Sequence, residues 1–376
     1  MSPAPAAAPP ASRRSRGRRV LFALAAIIAS LVFAEGVASW GVVARELAHG
    51  YAPNPSADSI EFDTDLGWRV RPNLHDANFL GTGIEMRTNA RGLREDHDVA
   101  PSAAPDRLRV LCVGDSFTFG NGVSNRDTWC AQLASQDRRF EGVNMGTPGY
   151  GADQAYLRYL RDDALDTGVH VFAFIDEDFD RMTSGFFLDT LKPTLGLRQG
   201  SLVPEHVPVP TYWNGPVSHA VFVGAAMAKH LALFRAAAWL VERVRPFPTD
   251  AVEHQRLTPV IRAMVTDLRD RTAARGTSLV LVRLPTSVDP PFAQSWQPIV
   301  QRAAADAGVP YVDLGEEFNR QPIGDAASFI IRADDPTGMI GAGHYTPLGH
   351  SRIAAWLIAR LTALDAVQQR LARLTR

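Results

Sequence analysis

The sequence has almost no cysteine: Cys112 and Cys130 are the only two in 376 residues. That count excludes a disulfide framework and a cysteine-rich metal site. Cys112 falls in an apolar run and Cys130 in a helix expected just after it, so buried free thiols are the expectation, although the spacing leaves a bridge open. Charge of one sign is lacking as well. Thirty-nine Lys and Arg against 40 Asp and Glu leave a formal net charge of −1, so no global field draws the chain to nucleic acid. The chain has no internal repeat, no Gly-x-Gly-x-x-Gly loop and no Walker-type loop, and no cofactor is expected.

Long hydrophobic runs are absent except for one. Residues 1–12 are rich in Ala and Pro, then Arg13, Arg14, Arg16, Arg18 and Arg19 precede an apolar stretch from Val20 to Val43, broken only by Glu35 and small residues. As a helix this stretch rises about 36 Å, enough to cross a ~30 Å hydrocarbon core. The arginine cluster stays in the cytoplasm, which places everything beyond residue 45 outside. Val32-Phe33-Ala34 resembles a small-residue cleavage site, so a cleaved signal peptide is the alternative. The apolar run resumes after Glu35, which favours an uncleaved anchor. The expected layout is a disordered, basic cytoplasmic tail over 1–19, a transmembrane signal-anchor helix over 20–43, a loop-rich extracytoplasmic segment over 44–106, and a main domain over 107–376 with an insertion at about 182–252.

Residues 46–105 carry Pro53, Pro55, Pro72, Pro101 and Pro105 and few periodic runs; "LGWRVRPN" and "EMRTNARGLRED" read as small strands and turns laid against the main domain. From Arg107 the pattern becomes regular. Strands are expected at 107–114, 141–146, 169–175, 278–285 and 309–314. Helices are expected near 128–136, 151–168, 252–275 and 291–307, with a last one from about Gly349. The 182–252 interruption is Pro- and Gly-rich and holds an apolar helix near 217–243, whose Lys229, His230, Arg235, Glu242 and Arg243 make it too charged for a second span. Strands separated by helices imply βαβ crossovers and a parallel sheet covered on both faces, with ligands at the C-terminal strand ends.

One such end is "VLCVGDSFTFGNG" (110–122), where Ser116 stands two residues past an expected strand. Two readings of Ser116 are open: a helix cap, whose hydroxyl accepts a backbone N–H, or a nucleophile. The Gly-x-Ser-x-Gly elbow of the α/β-hydrolases is excluded, because Thr118 occupies the second glycine position. The next strand ends in "NMGTPGYG", where Gly146 offers a backbone N–H to a neighbouring oxyanion. The third ends in "IDEDFDRM". Near the C-terminus "GAGHYTPLGH" supplies His344 as a base able to take a serine proton near neutral pH. His350, at the start of the last helix, reads as structural. Asp176, Glu177, Asp178 and Asp180 are dense in carboxylate but have no His at ligand spacing, so a charged loop is expected there and not a metal site.

"GDSFTFG" followed by "NMGTPGYG", a strand-end acidic cluster and a late His resembles the SGNH (GDSL-type) hydrolases over roughly residues 107–365. "FDTDLGWRVRPN" and "RTNARGLRE" resemble the N-terminal segment of its membrane-anchored bacterial members. The resemblance implies a flavodoxin-like three-layer α/β/α fold with a central parallel sheet, and serine ester hydrolysis or acyl transfer on acyl esters of sugars, lipids or small molecules. It implies Ser116 as nucleophile, His344 as base, and the N–H groups of Ser116 and Gly146 as oxyanion donors.

Two departures stand out. The third motif of the family reads Gly-x-Asn-Asp, with Asn as an oxyanion donor; aligned on Asp178, this chain has Glu177 in the Asn place. An ionised Glu accepts hydrogen bonds and cannot donate, and losing one such donor costs on the order of 10²–10³ in rate. Glu177 can donate only if burial protonates it. The family also places an Asp two or three residues before its His, where this chain has Ala342 and Gly341; losing that carboxylate costs on the order of 10⁴ in turnover. Asp334 and Asp335 are candidate supporting acids, and a backbone carbonyl is the other way to orient His344. The expectation is an esterase or acyltransferase held on the periplasmic side of a bacterial inner membrane, acting on an acylated glycan or small-molecule ester. The alternative is a weak or inactive module of the same fold that binds a glycan or a partner protein.

Overall fold

"LRVLCV" shows no alternation of apolar and polar residues, the mark of a strand buried on both faces. In the computed structural model, which describes residues 13–49, 59–162, 165–187, 190–210, 231, 249–286, 296–332 and 341–374, this is strand β1 (Leu108–Val113), buried at all six positions. It lies between β2 (Phe140–Asn144) and β3 (Val169–Phe174); beyond β3 come β4 (Ser278–Arg283) and β5 (Tyr311–Asp313). Every pairing is parallel. The order β2-β1-β3-β4-β5 is the flavodoxin-like one, whose switch point lies between β1 and β3.

Alternate residues of the central strands feed two cores. Leu111, Phe172 and Leu281 pack with α4 (Ala152–Asp162), α6 (Thr249–Ala274) and α7 (Gln297–Ala307). Cys112, Val171 and Val282 pack with α3 (Trp129–Gln136), α8 (Pro347–Thr362) and α9 (Asp365–Leu374). These are the three layers expected. The last expected helix starts two residues early, because the Thr346 side chain accepts the Gly349 N–H at 3.1 Å, and it is divided into α8 and α9. The expected helices at 151–168 and 291–307 are shorter, running Ala152–Asp162 and Gln297–Ala307.

The free-thiol expectation is overturned: Cys112 and Cys130 form a disulfide. Cys112 sits on the face of β1 covered by α3, and Cys130 lies in the first turn of that helix, so their Cα atoms come to 6.3 Å, within bridging range. Closing a loop of this length stabilises the fold by about 3 kcal/mol.

The segment before β1 holds short antiparallel pairs, Ile60–Asp63 with Gly67–Val70 and His75–Asp76 with Met86–Arg87. Two more hairpins follow β3 within the insertion, Phe186–Phe187 with Thr190–Leu191 and Thr194–Arg198 with Ser201–Glu205. The expected helix near 217–243 lies outside the described residues, Leu231 apart. The chain divides into two units, 1–53 with 212–247, and 54–211 with 248–376. Helix α1 (Arg13–His49) belongs to the first; it is longer than the expected anchor, taking in residues 13–19 of the expected disordered tail and 44–49 of the expected loop-rich segment. Its Gly17–Ser39 stretch is long and apolar enough, by length and composition, to cross a membrane.

Candidate active site

The turn after β1 depends on a glycine. A Cβ at Gly114 would run into Thr118 Oγ1 and the Ala173 carbonyl, so only glycine lets the chain swing from β1 against β3. Asp115 then caps the short helix α2 (Ser116–Phe119), its Oδ1 accepting the Phe117 N–H at 2.9 Å. Because Asp115 is the cap, the hydroxyl of Ser116 is not needed for that purpose. Ser116 Oγ instead lies 2.8 Å from His344 Nε2, and His344 Nδ1 lies 3.1 Å from the Gly341 carbonyl. A carbonyl oxygen only accepts, so Nδ1 carries the proton and Nε2 presents its lone pair to the serine hydroxyl.

The imidazole packs against Phe117, ring centroids 4.7 Å apart. Burial pushes its pKa below the ordinary histidine value, with the Asp115 carboxylate pulling the other way. The resting His344 is therefore neutral at pH 7, the form a general base requires. Asp334 and Asp335 lie outside the described residues, and the group that meets the far ring nitrogen is a backbone carbonyl. His350 is fully buried, and its Nδ1 accepts the Trp129 N–H at 3.0 Å, a structural role as expected.

Gly146 does not present the open N–H expected of it. Its N–H donates to Asn144 Oδ1 at 2.9 Å, and Asn144 Nδ2 in turn donates to the Thr118 carbonyl at 2.8 Å. Glycine is required there for another reason: a Cβ would strike the Phe119 backbone. Three residues on, the N–H of Gly149, in a turn at φ +77°, has no hydrogen-bond partner among the described residues. That turn is tied to the Ser116 corner through Arg181, whose Nη1 donates to the Tyr150 carbonyl at 2.8 Å, to Asp178 Oδ1 at 2.6 Å and to Asp115 Oδ2 at 3.2 Å.

Glu177 lies in α5 (Asp176–Asp180) and is exposed, so the burial that the donor reading requires is absent. Its neighbours each have a partner. Asp176 accepts from Arg283, and Asp180 accepts from Trp296 Nε1. Asp178 caps α5 through the Ile175 N–H. Burial and the nearby Asp115 charge push the Asp178 carboxyl well above its ordinary value, against the pull of Arg181. Among the described residues no three His, Cys, Asp or Glu side chains converge to hold a metal ion.

Sequence reasoning missed Arg181, Asp115, Arg94 and Glu95. Arg94 donates through Nη1 to the Phe119 and Gly120 carbonyls, through Nη2 to the Val123 carbonyl and through Nε to Asn125. Glu95 accepts the Asn144 N–H at 2.7 Å. The signal available for Arg94 and Glu95 was "RGLRE", a charged run inside a segment otherwise poor in periodic structure.

No family model and no curated protein matches the chain. Solved structures similar to it include a member of the lipolytic G-D-S-L family from Veillonella parvula, at 12% identity over 68% of this chain and 100% of that one, TM-score 0.37. An acetyl-xylooligosaccharide esterase variant from Geobacillus matches at 13% identity over 67% and 93%, TM-score 0.37. An extracellular lipase from Streptomyces rimosus matches at 14% identity over 67% and 99%, TM-score 0.36. At these identities and TM-scores the likenesses carry no weight on activity.

Proposed function

We propose that the chain is an exported, membrane-anchored serine esterase or O-acyltransferase working through an acyl-serine. The carrying observation is the 2.8 Å contact of Ser116 Oγ with His344 Nε2, the ring being oriented from behind by Gly341. In the first half-reaction Ser116 Oγ attacks the ester carbonyl carbon while its proton passes to His344 Nε2. The tetrahedral oxyanion is held by backbone N–H groups, that of Ser116 at the start of α2 and that of Gly149 across the turn. Collapse breaks the bond to the leaving alkoxide, which takes the proton from His344. In the second half, water or an acceptor hydroxyl gives its proton to His344 and attacks the acyl carbon, and the bond to Ser116 Oγ then breaks as Oγ takes that proton back from His344 Nε2. Hydrolase and transferase differ only in which hydroxyl arrives.

The arginine cluster in the first turns of α1 and the Cys112–Cys130 bond both favour an extracytoplasmic domain, since disulfides persist in oxidising compartments. An acylated envelope glycan, or a smaller acetyl ester, is the substrate class proposed, and the cytoplasmic membrane is engaged through α1. A fluorophosphonate probe tests the mechanism. Expected are labelling of the parent, none of Ser116→Ala, and loss of acetyl-ester turnover by at least about 10³-fold in Ser116→Ala and His344→Ala. Unchanged turnover in both variants would overturn it. The exposed Glu177 in the Asn place favours a second reading, a binding module of the same fold; a folded parent that takes no label would select it.

A further inference from the structure

Away from the serine, Arg69, Arg91, Arg158 and Arg161 line, with Asp162 and three apolar residues, a pocket of about 170 Å³ between the N-terminal segment and α4. The two outer arginines are neutralised. Arg69 Nε pairs with Glu61 at 2.7 Å, and Arg161 pairs with Asp63 at 2.7 Å and Asp162 at 3.0 Å. The two inner ones are held mainly by neutral groups. Arg91 Nη2 donates to the Asp162 backbone carbonyl. Arg158 Nη1 donates to the carbonyls of Met145 and Gly146 and to Thr147 Oγ1, and Nη2 donates to the Gly92 carbonyl.

Arg158 is 2% exposed; its buried Nε makes no hydrogen bond and has only a long ion pair, 3.5 Å, with Asp162 Oδ2. Burial also works against its charge, lowering its pKa. The Asp162 carboxylate is shared with Arg161 at 3.0 Å, and a desolvated guanidinium is costly unless anionic charge offsets it. Among the described residues, the four guanidinium groups here face the carboxylates of Glu61, Asp63 and Asp162, so positive charge is in excess. Arginine forks bind planar or tetrahedral oxyanions with paired N–H donors.

We propose that this pocket is a subsite for one oxyanion group, a carboxylate, phosphate or sulfate, of the kind an acidic sugar or a phosphorylated glycan carries. The site does not depend on Ser116 acting as a nucleophile. The test uses the full chain in detergent, titrated separately with sodium glucuronate, phosphate and sulfate against sodium chloride at matched ionic strength, read by calorimetry and thermal unfolding. At least one of the three is expected to bind saturably in the millimolar range or tighter. Arg91→Gln should weaken that binding about tenfold or more, while Arg126→Gln, on a side chain 88% exposed, should leave it unchanged. Arg69→Gln is the second variant should Arg91→Gln fail to fold. Which anion binds separates carboxylate from phosphate or sulfate sources. No saturable binding of any of them, or equal affinity in parent and pocket variants, would overturn the proposal.

Discussion

At the scale of single residues, the site rests on which atom orients His344. A carbonyl at 3.1 Å fixes the tautomer as a carboxylate would, but it carries no full charge to stabilise the imidazolium formed when Ser116 gives up its proton. The same arrangement leaves burial as the first influence on the ring, and burial lowers its pKa. Catalysis needs the neutral ring, so activity is expected to rise with pH through an apparent pKa below about 6.5, the ordinary histidine value. A pH profile of kcat/KM on an acetyl ester checks this. An acid limb centred above that value would mean that a carboxylate reaches the ring. Ser116 was legible in the sequence as a hydroxyl just past a strand end, and His344 only as a late histidine ahead of the last helix; the 2.8 Å contact between them is what the sequence could not show. Gly146 was misread because a glycine after a strand end looks like an open N–H, and nothing local reveals that Asn144, two residues earlier, folds back to take it.

At the scale of elements, the turn holding Ser116 is braced from outside the sheet. The segment before β1 sends Arg94 beneath the end of α2, where it satisfies the Phe119, Gly120 and Val123 carbonyls and stacks on the Phe119 ring. Glu95 holds the Asn144 N–H at the end of β2. Removing the guanidinium takes a charged donor, worth roughly 1.5–3 kcal/mol, from each of the three carbonyls; the Phe119 and Gly120 carbonyls keep only 3.3 Å bonds from Asn144 Nδ2 and the Val123 N–H, and the Val123 carbonyl loses its side-chain donor. Arg94→Met is therefore expected to lower unfolding stability by at least about 3 kcal/mol, and to reduce turnover in the protein that remains folded. Urea titration followed by activity on the folded fraction checks both; a stability within 0.5 kcal/mol of the parent, roughly the range of surface substitutions, would show that the brace is dispensable. The sheet itself was legible from apolar runs of strand length separated by helical periods. The brace was not, because residues 59–106 act through single long-range hydrogen bonds and have no periodicity to read.

At the scale of the molecule, two distant features point to one compartment. Five arginines stand just ahead of the apolar stretch of α1, and on the positive-inside rule they keep that end of the helix in the cytoplasm. The Cys112–Cys130 bond joins β1, the strand that leads into Ser116, to the helix α3 that covers it. Such a bond forms and persists outside the reducing cytoplasm. If both features follow from export, the two cysteines should be fully oxidised in the cell. Cells quenched in acid, then denatured and treated with a maleimide-polymer reagent, should show no mass shift without reduction and two additions after it. Protease added to spheroplasts should remove the 54–376 region while sparing the arginine-rich end. Two additions without prior reduction, together with a protected domain, would place the domain in the cytoplasm. The substrate could then no longer be sought among envelope esters.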